Sequence, residues 1–317
     1  MISHLIAIAL GLAIDRIIGD PPNWPHPVRW IGTAIRKLTK HWNHGPNAFR
    51  NGFWLLGTIA VTVFLLVYAA VFWAYSLNAF LGIAVEAVLI ASGLAQRSLK
   101  DAAMEVYNPL TNKNIVLARE KLSWIVGRDT EGLNESEITR GVVETVSENT
   151  SDGVTAPLFW AFLLGAPGLW LYKSVNTLDS MVGYRNEEFE QFGFASAKAD
   201  DVLNFIPSRL TGCLILILTS NKRSLTMRQR FTEWLRDAPK HPSPNSGWLE
   251  AATAVQLGVE LGGLNRYRGI ESQRARMGTP VYPLEASHIK EAVSQMQTAT
   301  TGFFILFALG GIFLGIA

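Results

Sequence analysis

One stretch constrains this chain more than any other. Phe53 to Trp73, FWLLGTIAVTVFLLVYAAVFW, is 21 residues long and carries no charge. A helix of that length covers the hydrocarbon core of a bilayer, and the aromatic residues at both ends suit the two interfaces. Residues 36–50 hold four basic and no acidic side chains, which places that side in the cytoplasm. The stretch therefore predicts a membrane-spanning helix.

The charge content supports a membrane protein. Charged residues make up 17 % of the chain, against about 25 % in soluble domains. The net charge of +2 gives no indication of nucleic-acid binding. The single cysteine, Cys213, lies in the apolar run TGCLILIL, which excludes a disulfide framework and argues against thiol catalysis.

Further apolar segments lie along the chain. Together with the first they cover residues 1–18, 53–75, 78–95, 154–172, 203–220 and 299–317. Residues 1–14 lack a basic n-region and a clear cleavage site, so they indicate an uncleaved membrane segment. Glu86 interrupts the third segment and should face protein or water, because a carboxylate in lipid is costly. The last segment is uncharged and long enough to span.

Two apolar segments are ambiguous. Residues 154–172 contain two prolines, and residues 210–219 are apolar over ten positions only. Each could be a full span, a re-entrant piece or a buried helix. We expect the polar residues 173–202 on the same side as 134–152, because both look like parts of one site.

The predicted architecture is an all-α, polytopic helical integral membrane protein with sizeable cytoplasmic helical loops. We expect one membrane-embedded domain over residues 1–317, without internal repeats. The polar regions are 19–52, 96–153, 173–202 and 221–298. Residues 96–133 look like amphipathic helices whose charged faces suggest no chemistry. Trp248 to Leu261 reads as a helix ended by the glycine pair that follows it.

Residues 134–152 carry the first candidate site. Asn134 and Glu137 form a capping-box pattern, so a helix should begin there. Arg140, Glu144 and Glu148 follow at four-residue spacing, which is ordinary for a solvated face. However, Glu144, Glu148 and Asp152 crowd the expected carboxyl end of the helix, where the macrodipole disfavours anions. A bound Mg²⁺ with phosphate would offset that cost.

A proline-rich loop carries the second candidate. GDPPNWPHPVRWIG, residues 19–32, contains four prolines and should be an ordered loop. It is either a turn-rich connector or a rigid loop that presents Asp20 and His26 to a site.

Residues 176–209 carry the third candidate. The polar side chains there are Asn176, Asp179, Tyr184, Arg185, Asn186, Asp200, Asp201, Asn204 and Arg209. Asp179 to Arg185 contains Gly183 and suggests a loop. Asp200 and Asp201 could equally cap the next helix. Arginine suits phosphate because its guanidinium binds two oxygens at once.

The inventory of chemistry-bearing residues is limited. The sequence has no Walker A motif, GxGxxG, GxSxG or HExxH. It offers carboxylates, arginines and asparagines. That set fits a reaction of phosphate and Mg²⁺ that works by positioning and charge neutralisation, and it fits a charged transport path equally well.

Four long motifs resemble one family. They are GDPPNWPHPVRWIG, RGVVETVSENTSDGVTAPLFW, NTLDSMVGYRNEEFEQFGFASAKADDVLNFIPSRLTG and SPNSGWLEAATAVQLGVELGG, in that order, from residue 19 to about 278. They are similar to the CobD/CbiB family, the membrane-bound adenosylcobinamide-phosphate synthases of cobalamin biosynthesis. AmpE-like membrane regulators of β-lactamase induction are less similar.

The resemblance implies an ATP-dependent amide ligation. A propionate of adenosylcobyric acid would be joined to aminopropanol phosphate, or to free aminopropanol, with ATP and Mg²⁺ as cofactors. It implies a multi-pass protein of the bacterial inner membrane, with the lipid bilayer as its other partner. A non-catalytic AmpE-like regulator and a corrinoid transporter are the alternatives. The sequence leaves the amine and the oligomeric state open.

The resemblance also implies site residues. For catalysis we expect Arg140, Glu144, Asp179 and Asp201. For substrate or phosphate binding we expect Tyr184, Arg185, Asn186, Asn204, Arg209, His26 and Asn245. For Mg²⁺ we expect Glu144, Glu148 and Asp152.

Overall fold

The fold is helical throughout most of the chain. The computed structural model describes residues 2–21, 25–184 and 186–313, with side chains through residue 311. Helices account for 74 % of it, and the described residues form only two strands. The predicted all-α class is therefore confirmed.

Among the described residues, four helical stretches are long and apolar enough to cross a membrane: Gly45–Leu77, Ala79–Thr111, Glu135–Val182 and Ser287–Gly311. A fifth is possible if two short helices, Phe194–Leu203 and Phe205–Leu218, count as one broken span. Only 11 % of the apolar window in the first stretch is buried, so most of its surface is available to lipid. This stretch contains the predicted span 53–73, and Ser287–Gly311 contains most of the predicted span 299–317.

The chain separates into two compact units. The first comprises Met1–Arg97, Asp152–Asn204 and Phe307–Ala317, and the second comprises Ser98–Ser151 and Phe205–Leu306. The expectation of one domain over residues 1–317 stays a prediction.

The part of the first unit that the structure describes contains six whole α-helices and the end of a seventh. They are α1 (Ile2–Ile17), α2 (Pro27–Trp42), α3 (Ala48–Leu77), α4 (Ala79–Ala91), α8 (Ala156–Val182) and α9 (Phe194–Leu203), with the end of α13 (Ser287–Phe313). The central helix is α8, which packs on α2, α3, α4 and α9. Its side chains Trp170 and Tyr172 are fully buried.

Glu86 faces protein, as predicted. It is 3 % exposed and lies within 3.0 Å of His4 Nδ1. The Tyr75 hydroxyl and the Ala166 N–H donate to it at 2.8 and 3.3 Å. These partners replace the water that the carboxylate would otherwise need inside an apolar helix.

The proline-rich loop is shorter than expected, because α2 already begins at Pro27. Proline is tolerated at the first position of a helix, where its missing N–H would have no partner anyway. His26 is the N-cap, and its Nδ1 accepts from Val28 N–H at 3.3 Å. The prediction that residues 27–32 continue the loop is wrong for this reason.

The second unit surrounds one buried helix. Its elements are α5 (Gln96–Thr111), α6 (Ile115–Ser123), α7 (Glu135–Thr150), α10 (Phe205–Leu218), α11 (Met227–Asp237), α12 (Ser246–Leu257) and most of α13. Helix α12 packs on α7, α10, α11 and a β-hairpin. All but one of its residues are buried.

The hairpin consists of β1 (Leu261–Tyr267) and β2 (Ile270–Met277), which pair antiparallel. Helix α12 ends at Leu257 and is capped by Gly258, whose φ of 69° is left-handed, and not by the later glycine pair. The prediction that the helix extends to Leu261 is wrong, because the left-handed Gly258 ends it four residues earlier, at Leu257.

Helix α7 begins with the predicted capping box of Asn134 and Glu137. Its regular α-helical part ends at Thr150, but the helical backbone does not end there. The backbone continues through a π-helical turn, Ser151–Thr155, into α8. The argument that three carboxylates crowd a helix terminus is therefore wrong, because no helix terminus lies there.

Candidate active site

The first unit contains a cavity of about 370 Å³, which we call the Lys173 cavity. Three distant stretches line it: the proline-rich loop with the start of α2, the turn after α4, and α8. The lining residues are Asp20, Pro21, His26, Val28, Arg29, Ser92, Gly93, Leu94, Ala95 and Lys173. The loop thus forms one wall of a cavity, as its functional interpretation expects.

His26 has a different role at each ring nitrogen. Its Nδ1 is used by the backbone at the start of α2, whereas its Nε2 lies 3.3 Å from Asp20 Oδ1. Both side chains are partly exposed, at 25 and 32 %. The loop therefore holds a histidine–carboxylate pair at the edge of the cavity.

Lys173 was missed by the sequence analysis. It lies on α8, half-buried, and the carboxylates of Asp20, Asp152 and Asp200 act electrostatically on its ammonium. A signal was present in the sequence, since Lys173 directly follows the apolar segment 154–172. An ionisable residue next to an apolar segment and inside the protein needs partners, and it is a candidate for a functional site.

Asp200 is held by a chain of hydrogen bonds that we call the Asp200 network. Asn176 Nδ2 and Asn204 Nδ2 donate to its two oxygens at 3.1 and 3.0 Å. The Tyr172 hydroxyl donates to Asn204 Oδ1 at 2.9 Å. Asp200 lies inside α9 and Asn204 follows its last residue, so the capping interpretation of Asp200 is wrong. The network joins α8 to α9.

The remaining predicted residues of this unit have more peripheral positions. Asp179 lies in the last turn of α8, so the expected loop begins only at Gly183. Tyr184 is 58 % exposed, and Asn186 Oδ1 accepts from Phe189 N–H at 2.9 Å. Asp201 forms an ion pair with Lys198 at 3.1 Å. Arg185 lies outside the described residues, and its contact with phosphate stays a prediction.

In the second unit, Glu144 is buried and already paired. Arg128 donates to its Oε2, and Gly262 N–H donates to its Oε1 at 2.8 Å. Arg128 belongs to the stretch 96–133, in which the sequence suggested only ordinary charged faces, yet its side chain is buried against Glu144. Both side chains are more than nine-tenths buried. Glu144 therefore has a cationic partner that the local sequence does not show.

Arg140 holds the first strand of the hairpin. It donates to the carbonyl oxygen of Gly262, to that of Leu264 at 2.7 Å, and to Asn265 Oδ1 at 3.0 Å. Its Nε also lies 3.8 Å from Glu144. These contacts give the side chain a role in positioning β1 against α7.

The predicted magnesium set does not fit in full. Both carboxylate oxygens of Glu144 are used by Arg128 and Gly262. Glu148 is half-buried and accepts from the Ser246 hydroxyl at 3.0 Å. Within the part of the chain that the structure describes, no group of three or more His, Cys, Asp or Glu side chains could hold a metal ion. A role for Glu148 or Asp152 toward Mg²⁺ stays a prediction.

Arg209 and Asn245 lie together, as two members of the predicted binding set. Arg209 Nη1 donates to Asn245 Oδ1 at 3.1 Å and to the Phe205 carbonyl oxygen at 2.7 Å. Its guanidinium also stacks on the rings of Phe205 and Trp248, at 3.7 and 4.7 Å. Their phosphate-binding role stays a prediction, and the structure gives Arg209 several protein partners.

Comparison with known proteins supplies the family. The family described as CobD/Cbib protein matches residues 8–296. The chain belongs to the CobD/CbiB family. It is 49 % identical to the cobalamin biosynthesis protein CobD of Halalkalibacterium halodurans, over 99 % of this chain and 98 % of the relative. It is 41 % identical to the cobalamin biosynthesis protein CbiB of Salmonella paratyphi B, over 96 % of each chain.

A third relative agrees with these two. The CobD protein of Klebsiella pneumoniae is 41 % identical over 96 % of each chain. No solved structure matches the chain. The membership and the near-complete coverage show a membrane protein of cobalamin biosynthesis.

Proposed function

We propose that this CobD/CbiB family member joins a carboxyl group of adenosylcobyric acid to the amine of aminopropanol phosphate, or of free aminopropanol, at the expense of ATP. The observation that carries the proposal is the Lys173 cavity. It brings Asp20, His26 and Arg29 of the loop and the start of α2 together with Lys173 of α8, and the carboxylates of Asp152 and Asp200 also act on Lys173. Phosphate transfer needs cations for the phosphates, and an amine substrate needs carboxylates for its ammonium group.

The reaction requires an activated carboxyl group. A carboxylate does not react with an amine, because its leaving group would be an oxide ion. Transfer of the γ-phosphoryl group from ATP gives an acyl phosphate and ADP. Attack by the amine then forms the C–N bond and breaks the C–O bond, and phosphate leaves with the electron pair.

The residues of the cavity have the charges for this work. Lys173 and Arg29 would bind phosphate oxygens, and Asp20 with His26 would attract and orient the ammonium group. Mg²⁺ would supply further neutralisation of the ATP phosphates when bound. We assign it no ligand, since Glu144 is occupied by Arg128.

The proposed location is the bacterial inner membrane, with the site on the side that has access to ATP. The basic residues in the stretch 36–50, just before α3, favour a cytoplasmic location for that stretch.

The test is direct synthesis. Protein purified in detergent is incubated with adenosylcobyric acid, aminopropanol phosphate, ATP and Mg²⁺. The products are then identified by mass spectrometry. We expect the amide, and none when ATP or the amine is left out. Absence of the amide with all components, from protein that is folded by circular dichroism, would refute the proposal.

A further inference from the structure

The first unit contains a further cavity, of about 380 Å³, which we call the Lys40 cavity. Helix α2 with the residues after it forms one wall, and the end of α8 with the segment after it forms the other. The lining residues are Arg36, Thr39, Lys40, Asn43, His44, Met181, Val182, Glu188 and Phe189. Asn43 joins the two walls, because its Nδ2 donates to the Glu188 carbonyl oxygen at 2.9 Å. The Lys40 cavity shares no lining residue with the Lys173 cavity, and the proposed ligation makes no use of it.

One wall of the Lys40 cavity is positively charged. Arg36 and Lys40 are four residues apart on α2, so they lie along one face of the helix, and His44 follows its end. Both cations are exposed, and neither forms an ion pair with a carboxylate among the residues that the structure describes. Glu188, on the other wall, is the acidic residue of the lining. With two permanent positive charges against one negative charge, the cavity favours an anion.

The Lys40 cavity lies beside the start of the membrane-spanning helix α3. Asn51 Nδ2 donates to the Trp42 carbonyl oxygen at 2.8 Å, so the end of α2 is level with residue 51. The uncharged run that covers the hydrocarbon core starts two residues later, at Phe53. On the side of the other wall, Gly52 lets α3 approach closely, since a Cβ there would overlap the Phe192 carbonyl oxygen. The cavity is therefore at the height of the membrane interface, where lipid phosphates lie.

The first turns of α3 are apolar and exposed. Phe49, Phe53 and Trp54 are all exposed, and most of the helix surface beyond them is available to lipid. Large aromatic side chains are typical of the membrane interface. An acyl chain can lie on this surface while the phosphate attached to it reaches the cavity. A ligand that combines acyl chains with a negatively charged phosphate is a phospholipid.

We propose that the Lys40 cavity binds the phosphate of an anionic phospholipid of the cytoplasmic leaflet, whose acyl chains lie on α3. Arg36 and Lys40 donate charge-assisted hydrogen bonds to the phosphate oxygens. The other basic side chains of the stretch 36–50 attract anionic lipids to this part of the membrane surface. The site is a lipid-binding site and takes no part in the chemistry of the proposed ligation.

The first test measures lipid binding by native mass spectrometry. Protein purified in detergent is titrated with phosphatidylglycerol, which is anionic, and with phosphatidylcholine, which has no net charge. The wild type should bind phosphatidylglycerol more tightly. Lys40→Gln and Arg36→Gln should each weaken that binding about tenfold and leave the binding of phosphatidylcholine unchanged. The matched control is Lys37→Gln, an exposed lysine of the same helix that does not line the cavity, which should match the wild type.

Glu188→Gln should change the affinity in the opposite direction. It removes the negative charge that repels a lipid phosphate, so phosphatidylglycerol should bind more tightly than to the wild type. A loss of folding would weaken binding in every variant, so the two directions separate an effect of charge from an effect on the fold. Weaker binding of phosphatidylglycerol by Glu188→Gln, with a circular dichroism spectrum equal to that of the wild type, would overturn the inference.

The second test distinguishes a lipid from free phosphate. Glycerophosphate carries the phosphate without acyl chains and is used, like inorganic phosphate, to compete with phosphatidylglycerol. Because contact of the chains with α3 adds to the affinity, glycerophosphate should bind at least about 100-fold more weakly than the lipid. If either soluble phosphate displaces the lipid at an equal concentration, the cavity is a site for free phosphate and the lipid assignment is overturned.

The remaining outcomes concern the location of the site. If Lys40→Gln and Lys37→Gln bind phosphatidylglycerol equally, the Lys40 cavity is not the binding site and the inference fails. Equal affinity of the wild type for phosphatidylglycerol and phosphatidylcholine would refute the selection of an anionic lipid. Neither test measures amide synthesis, so a failure of the proposed function and a failure of this inference are seen in separate experiments.

Discussion

Buried charges in this molecule are paired across long distances in the sequence. Arg128 and Glu144 neutralise each other inside the second unit, and Lys173 lies among carboxylates of the first. Removing one partner of a buried pair leaves an uncompensated charge, which costs far more than the pair itself contributes. Single substitutions at these positions should therefore show which charges stabilise the fold and which bind substrate, because the first lower the free energy of unfolding and the second raise a Michaelis constant.

We predict that Arg128→Met destabilises the protein by about 3–5 kcal/mol, because Glu144 would remain buried with only the longer, 3.8 Å contact to Arg140 as an ion pair. Adding Glu144→Gln should restore most of the loss. The control is Arg266→Met, whose partner Glu271 is exposed, with an expected loss below about 1 kcal/mol. The free energy of unfolding in detergent is measured for all three variants. Equal losses for Arg128→Met and Arg266→Met would contradict the account.

Lys173→Gln should weaken the binding of phosphate-bearing substrates, and because the side chain is only half-buried it should cost less stability than Arg128→Met. A charge-assisted contact contributes about 1.5–3 kcal/mol, so the Michaelis constant should rise about ten- to a hundredfold. Steady-state kinetics with each substrate in turn identifies which one Lys173 contacts. Lys37→Gln, on the exposed face of α2, is the matched control. If the Michaelis constants of Lys173→Gln equal those of the wild type, the Lys173 cavity is not the substrate-binding site.

Asp237 should make stability depend on pH at the acidic end. Burial raises its pKa, but hydrogen bonds from Arg236, Lys240 and Gly278 N–H outweigh burial and hold the pKa at about 2. Since the folded value lies below the ordinary 3.8, the stabilisation is complete above about pH 4. It is lost as pH falls toward 2. In Asp237→Asn the decline of the melting temperature over this range should be smaller, and an unchanged decline would refute the assignment.

At the scale of elements, the hairpin of β1 and β2 shows what local patterns miss. Its strands lack regular alternation of apolar residues, and the glycine pair at its start looks like a helix stop. Strand β1 is held against α7 by contacts that no local pattern shows. The main ones are the hydrogen bonds that Arg140 donates to the carbonyl oxygens of Gly262 and Leu264. By contrast, the capping box of α7 involves residues three apart, and the sequence predicted it correctly.

Gly258 should be the more sensitive of two left-handed glycines. A Cβ at Gly258 would lie 2.9 Å from both Arg223 and Tyr282, whereas one at Gly269 in the hairpin turn would meet nothing within 4 Å. Their φ values are similar, 69° and 80°. Gly269→Ala should cost about 1–2 kcal/mol for the backbone alone, and Gly258→Ala should cost more. Equal melting temperatures for the two variants would contradict the packing argument.

At the scale of the whole molecule, the membrane character was predictable and the site only partly so. The thickness of the bilayer requires a run of about 20 consecutive apolar residues in a spanning helix. Helix α3 could therefore be recognised from its 21 uncharged positions. The pairing of Arg128 with Glu144, and the approach of His26, Arg29 and Lys173 to one cavity, depend on tertiary packing. The proline-rich loop and three residues of the Asp200 network, Asn176, Asp200 and Asn204, were singled out from the sequence, whereas Tyr172 and Lys173 were not.

The most direct test of the account follows the oxygen atoms of the carboxyl group. Adenosylcobyric acid labelled with ¹⁸O in its reacting carboxylate is incubated with the protein, ATP, Mg²⁺ and aminopropanol phosphate. Mass spectrometry then reports the label in the amide, inorganic phosphate and AMP. Activation by phosphoryl transfer predicts one ¹⁸O in inorganic phosphate for each amide formed. Label in AMP, or amide formed with unlabelled phosphate, would contradict the proposed reaction.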